Sequence, residues 1–278
     1  MITPTTSRPL PELSPAETRA LEQRFTVVLE RLQTALKRSG RSLRGLPATD
    51  AKPVAGVDPG LGLVAVSKFH KPEKLAALAR LWQKTVPGLP VIFSENYIQE
   101  ALGKQDALAG SEGLGGLHWH FSGHLQSNKA RQALGRFELL HTLDSLSLAR
   151  NLQKLMENRG EALGLQGPQP VLAQVNIGDE GQKSGVAISE TAAFIRSLQA
   201  FSAIRVQGLM CLPPITEQAE DSRPYFIRLR QMRDSLEREL GLPLPELSMG
   251  MSHDFEVAVE EGATLVRIGT DIFGERGK

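Results

Sequence analysis

Apolar positions along this chain follow two rhythms. From Ser14 to Ser39, Leu21, Phe25, Val28, Leu29, Leu32 and Leu36 recur at the spacing of one helix face. Ser14 with Glu17 makes a capping-box pattern at the start, and Gly40 supplies a stop. Beyond residue 60, apolar runs at 63–67, 90–93, 117–122, 138–142, 171–176, 204–210, 245–248 and 263–268 read as strands. Amphipathic stretches at 72–85, 97–109, 128–135, 145–159, 188–200, 218–240 and 253–261 read as the helices between them. Several runs, such as Thr264-Leu265-Val266-Arg267-Ile268, are almost continuously apolar, as parallel strands buried on both faces require. Eight strands alternating with helices predict an α/β fold, a closed (β/α)8 barrel of TIM type with an extra N-terminal helix. A doubly wound open sheet is the alternative, since periodicity alone does not show closure. The barrel domain is expected to span 14–278, after a disordered Pro/Thr-rich tail at 1–13. Pro47, Pro53 and Pro59, with Gly45, Gly56 and Gly60, predict a flexible connector at 41–60.

In either architecture functional groups collect where strands end, and six polar clusters fall there. Lys68 ends the first strand, and Ser94-Glu95-Asn96-Tyr97 follows the second. Gly123-His124-Leu125-Gln126, Asn176 to Lys183, Ser248 to Ser252 and Gly269-Thr270 follow the third, fifth, seventh and eighth. An amine delivered by Leu63-Val64-Ala65-Val66-Ser67-Lys68 to the edge of a sheet suits a reactive lysine, because desolvation favours the neutral, nucleophilic form. The plainer reading is a strand-end lysine snorkelling into water. Ser248 and Ser252 flank Gly250 just before a helix, and Gly269-Thr270 precede the short turn Asp271-Ile272-Phe273. Together they form a candidate phosphate cradle, or else ordinary helix caps. Arg267 interrupts an apolar strand, so its guanidinium either meets a ligand inside the barrel or is paired structurally.

His118 and His120 share one strand face and His124 lies beyond the strand's end, but no carboxylate or cysteine completes a metal set; His124 reads better as a pocket residue. The loop Gly178 to Gly185 lacks the spacing of a P-loop and reads as a solvated turn or lid. A hydrophobic content of 41% and a net charge of +1 describe a globular chain without a basic field for nucleic acid. No apolar run approaches a membrane span, and no secretory leader pattern opens the chain. The single cysteine, Cys211, excludes an internal disulfide and reads as a packed thiol. A reduced, cytoplasmic setting is expected.

Longer motifs add a resemblance. Val64-Ala65-Val66-Ser67-Lys68, Ser94-Glu95-Asn96-Tyr97-Ile98-Gln99-Glu100 and Trp119-His120-Phe121-Ser122-Gly123-His124-Leu125-Gln126-Ser127-Asn128-Lys129 occur in order. His141-Thr142-Leu143-Asp144-Ser145, Gln174-Val175-Asn176 with Lys183-Ser184-Gly185, and Gly208-Leu209-Met210 follow. Leu247-Ser248-Met249-Gly250-Met251-Ser252 and Val266-Arg267-Ile268-Gly269-Thr270-Asp271-Ile272-Phe273-Gly274 close the series. The chain resembles the pyridoxal phosphate homeostasis (YggS/PROSC) family from about residue 20 to 276.

The resemblance implies an alanine racemase N-terminal barrel binding pyridoxal 5'-phosphate (PLP) as an aldimine on Lys68. It also implies Ser248, Ser252, Gly269 and Thr270 at the phosphate, Arg267 facing the pyridine nitrogen, and Asn96 and His124 around the ring. Phe69-His70 and Ser94 depart from the family's usual residues and bear on the pocket mouth.

The implied role is to hold, buffer and hand over PLP, with apo PLP-dependent enzymes as recipients, in a monomer or weak dimer. Vitamin B6 and amino-acid balance would respond. A racemase needs a second base, which related enzymes take from a C-terminal β-domain; only Gly274 to Lys278 follow the last loop here. A PLP-dependent racemase or lyase is therefore the alternative. A barrel enzyme using Lys68 on a phosphorylated metabolite is the third reading.

Overall fold

A computed structural model describes residues 10–44, 59–159, 167–181 and 184–275. Most of the expected tail, most of the expected connector, and Gln182 and Lys183 lie outside these residues. The strands are β1 (Gly62–Val66), β2 (Val91–Glu95), β3 (Leu117–Phe121), β4 (Leu139–Leu143), β5 (Gln169–Asn176), the two-residue β6 (Val186–Ala187), β7 (Ile204–Cys211), β8 (Glu246–Ser248) and β9 (Leu265–Ile268). All pairings are parallel. The order β4-β3-β2-β1-β9-β8-β7-β5, with β4 also paired to β5, closes eight strands into a ring. Closure removes the open-sheet alternative. The two-residue β6 pairs only with β5 and lies outside the ring.

The helices are α1 (Pro15–Ser39), α2 (Pro72–Thr85), α3 (Ile98–Leu108), α4 (Ala130–Ala133), α5 (Leu146–Arg159), α6 (Thr191–Leu198), α7 (Arg223–Leu240), α8 (Phe255–Glu260) and α9 (Thr270–Phe273). Ser14 and Glu17 close the expected capping box, and Gly40 ends α1 at φ 67°. Because α9 is a single turn, α1 covers that part of the barrel, packing on α8, α9 and α2. Its buried Phe25 lies 5.2 Å from the Trp82 ring of α2. Fully burying side chains such as Leu21, Phe25 and Leu32 contributes roughly 1.5–3 kcal/mol each.

Strand alternation divides the core. Leu63, Ala65, Phe93 and Val266 pack outward under the helices. Val64, Ile92, Leu139, Leu172, Met210 and Leu265 form a separate apolar plug inside the ring. Two residues further along their strands, Ser94, His141 and Arg267 replace the plug with buried polar groups. At the other end Arg44 grips Glu246 through two 2.9 Å bonds.

Candidate functional site

The register sets the site. Val64 lies beside Arg267 and Ala65 beside Ile268, which carries Val66 to Gly269 and Lys68 to the same rim. A Cβ on Gly269 would stand 3.3 Å from the Val66 carbonyl, so the small residue lets the two strand ends approach. Lys68 is half-buried, in a turn two residues past the end of β1. Phe69 after it takes φ 69°, a left-handed conformation costing a side-chain-bearing residue about 1–2 kcal/mol. Its exposed ring meets Tyr97 at 5.3 Å, while His70 stacks on Phe273 at 4.7 Å. The unusual pair after the lysine thus builds part of the rim's wall.

The two loops expected to form an anion cradle are joined. Ser252 Oγ accepts the Asp271 N–H at 3.3 Å, so Ser252 ties the β8 loop to α9 and does not cap α8. Gly250, at φ 88°, lies so close to α8 that a Cβ would meet that of Ala258 at 2.5 Å. From α1, Arg31 donates to Glu256 at 2.6 and 2.9 Å, to the Ser252 carbonyl at 3.3 Å, and to Asp271. Its guanidinium also lies 4.4 Å over the Phe255 ring. One arginine of the outer helix therefore braces both loops.

Inside the barrel a chain of hydrogen bonds crosses from β3 to β9. His120 Nδ1 lies 3.0 Å from His141 Nε2, and His141 Nδ1 lies 2.9 Å from Ser248 Oγ. Arg267 donates to Ser248 Oγ at 2.6 Å and to the Cys211 carbonyl at 2.9 Å. All are buried. Among the described residues no carboxylate forms an ion pair with Arg267, so neutral oxygens hold a buried cation. Burial, reinforced by Arg44 and His118, pushes His120 down to about 3. Burial, His120 and Arg267 hold His141 well below its ordinary value. Cys211 is buried, the packed thiol expected, and burial pushes it up to about 12.

Asn96 is half-buried at the end of β2, and its Oδ1 accepts from Ser122 Oγ at 3.2 Å. Ser94 Oγ donates to the same hydroxyl at 2.7 Å. Gly123 lies against Asn96, where a Cβ would fall 2.1 Å from the Asn96 carbonyl oxygen. The structure does not bring the His124 side chain into this cluster: it is 60% exposed, 3.8 Å from Asp144. Thr270 stands at the start of α9, beside the groove against α1. No metal-binding group of His, Cys, Asp or Glu occurs among the described residues. His118, weighed with the metal reading, instead bonds Glu138 at 2.8 Å, which raises its pKa. In the described part of the loop after β5, Asn176 makes two bonds to the Glu180 backbone, at 2.9 and 3.2 Å.

The sequence reading missed His141 and Arg31 as functional groups. His141 shares inward parity with Leu139, a signal that was present. Arg31 carried none, because its partners lie more than 220 residues away.

A model of the alanine racemase N-terminal domain matches residues 57–277. The pyridoxal phosphate homeostasis protein of Aquifex aeolicus is 41% identical over 254 residues, which span 91% of this chain and 97% of that one. This chain belongs to the pyridoxal phosphate homeostasis family. Another member, from Pseudomonas aeruginosa, is 42% identical over 228 residues, 82% of this chain and 90% of its own. PipY of Synechococcus elongatus, a structure solved with PLP bound, superimposes at a TM-score of 0.68 with 29% identity, covering 91% of this chain and all of that one. The family's barrel is the one built here, with α1 added before β1. No helix among the described residues is long and apolar enough to cross a membrane.

Proposed function

We propose that this chain binds PLP through Lys68 and serves to hold and hand over the cofactor within PLP homeostasis. The observation that carries the reading is Arg267, a buried guanidinium held by neutral oxygens on the strand beside β1, whose end presents Lys68. A planar ligand with an unprotonated ring nitrogen suits such a donor, because guanidinium does not surrender its proton. The cradle residues also fit an anion: Gly269 permits close backbone approach, and the braced loops carry small and hydroxyl residues.

PLP supplies an aldehyde that links reversibly to an amine, and an electron-accepting ring. Lys68 would provide the amine. Ser248, Ser252, Gly269 and Thr270 would receive the phosphate, with Ser248 also orienting Arg267. Arg267 would donate to the ring nitrogen and leave it without a proton, which weakens the ring as an electron acceptor. Asn96 would border the ring from the β2 end. Burial shifts the interior histidines downward and the Cys211 thiol upward, away from neutral pH. That set of groups suits retention better than turnover, which needs a base near its working pH.

The test is transfer. PLP-loaded protein should reactivate an apo PLP-dependent enzyme faster than the same concentration of free PLP, and a Lys68→Ala variant should show no such advantage. No advantage over free PLP overturns delivery. Sustained racemisation of an added amino acid, read by chiral chromatography, would favour the enzyme reading instead.

A further inference from the structure

Beneath Lys68 lies a cluster of charged side chains with no part in the site described above. Lys104 of α3 is only 4% exposed, and Glu95 at the end of β2 is fully buried. The Lys104 ammonium donates at 2.6 Å to each of Glu95 Oε1, Glu100 Oε1 and the Ser67 carbonyl. Its three protons are thereby used. Ser67 Oγ donates to Glu95 Oε1 at 2.6 Å, and the Phe69 N–H donates to Glu100 Oε1 at 2.5 Å.

The peptide groups before and after Lys68 are therefore both held by this cluster. The carbonyl of Ser67 is fixed by Lys104, and the amide of Phe69 by Glu100. The second bond holds a residue in the left-handed region that its side chain disfavours. Joining α3 to β2 needs only the Glu95–Lys104 pair, whereas two of the remaining bonds end on the backbone on either side of Lys68. Glu95 Oε2 meets no hydrogen-bond partner among the described residues, a cost that an arrangement selected for stability alone would avoid.

We infer that Lys104, Glu95 and Glu100 are positioning residues that fix the backbone of Lys68 and so aim its amine across the rim. The inference rests on Lys68 being the anchor for PLP. It places the control of that anchor in α3, away from any group that touches the ligand.

The full chain tests it with Glu100→Ala, which removes the acceptor of the Phe69 amide, and Glu100→Gln, which retains one. Three quantities are measured: PLP affinity by absorbance, the rate of Lys68 reductive methylation by formaldehyde and cyanoborohydride followed by peptide mass spectrometry, and the melting midpoint. Glu100→Ala is expected to weaken PLP binding about tenfold and to change the Lys68 methylation rate by a similar factor, because the Phe69 amide and the Lys104 ammonium each lose an acceptor. Glu100→Gln should stay within about threefold of the parent in both. Equal affinity and equal Lys68 methylation in the parent and Glu100→Ala would overturn the inference. If the parent itself takes up no PLP, the binding proposal fails. The methylation rate then still decides whether the cluster positions Lys68: an unchanged rate overturns the inference and a changed one supports it.

Discussion

The two halves of the candidate site are braced in opposite ways. On the lysine side the support is local in sequence and centred on a buried pair: Glu95 and Lys104 are buried, Glu100 between them in sequence is half-buried, and together they hold the backbone around Lys68. On the cradle side it is remote and partly solvated, with Arg31 reaching Ser252, Glu256 and Asp271 from a helix at the other end of the chain. Buried pairs are costly to break, because the surviving partner is stranded without water. Half-exposed pairs are weaker and screened by salt. The difference is a division of labour, with a rigid seat for Lys68 and a more yielding brace for the cradle loops.

The sharpest way to break this contrast is to remove one buried charge. Glu95→Ala should cost about 3–5 kcal/mol in chemical denaturation, because Lys104 and Ser67 each lose a buried acceptor. A cost near that of a surface substitution would erase the distinction between the sides.

Next in size is an acid effect on the histidine chain inside the barrel. The folded pKa of His120, about 3, lies below its ordinary 6.5. The stability contributed by its neutral ring is therefore complete above pH 6.5 and is lost as pH falls toward 3, at about 1.4 kcal/mol per pH unit for one proton. His141, also depressed, steepens the same trend. Glu95 acts with the opposite sign: burial raises its pKa, so its contribution is lost as pH rises through that value. Denaturation across pH should show the acid loss in the parent and a shallower slope in His120→Asn.

Gly123→Ala would force a methyl group against Asn96 and should cost about 1–3 kcal/mol, with weakened PLP binding through the displaced β2 loop. A fully stable variant with native binding would show that the close approach is incidental. Smallest in stability is Arg31→Met, about 1 kcal/mol given its partial exposure. Its signature is selective: PLP affinity should fall about fivefold and that of pyridoxal, which lacks the phosphate, less than twofold. Equal losses for both ligands would make Arg31 a general support and not a brace of the cradle.

The barrel was legible in the chain because its strands are short apolar runs between periodic helices, and each of the eight expected runs overlaps an observed ring strand. Lys68, Gly269 and Arg267 could be placed on one rim because strand ends and parity follow from position alone. Pairings across the barrel could not. Ser248 and His141 are 107 residues apart, and a serine two residues before a glycine reads as a cap or cradle before it reads as the partner of a buried histidine. Lys104 was hidden for a different reason. On an amphipathic helix a lysine four residues after a glutamate signals a solvated pair, and only the packing of α3 over the β1 turn turns it inward. His124 shows the converse: its place at a strand end suggested the pocket, but its ring lies largely in solvent beside Asp144.

The central claim is that Lys68 is the residue to which PLP attaches. Protein incubated with PLP, reduced with borohydride and digested should carry the phosphopyridoxyl mass on the peptide containing Lys68, at near one equivalent, and Lys68→Ala should carry none there. A stoichiometric adduct on another lysine, or an unlabelled Lys68 peptide in protein saturated with PLP, would contradict the account.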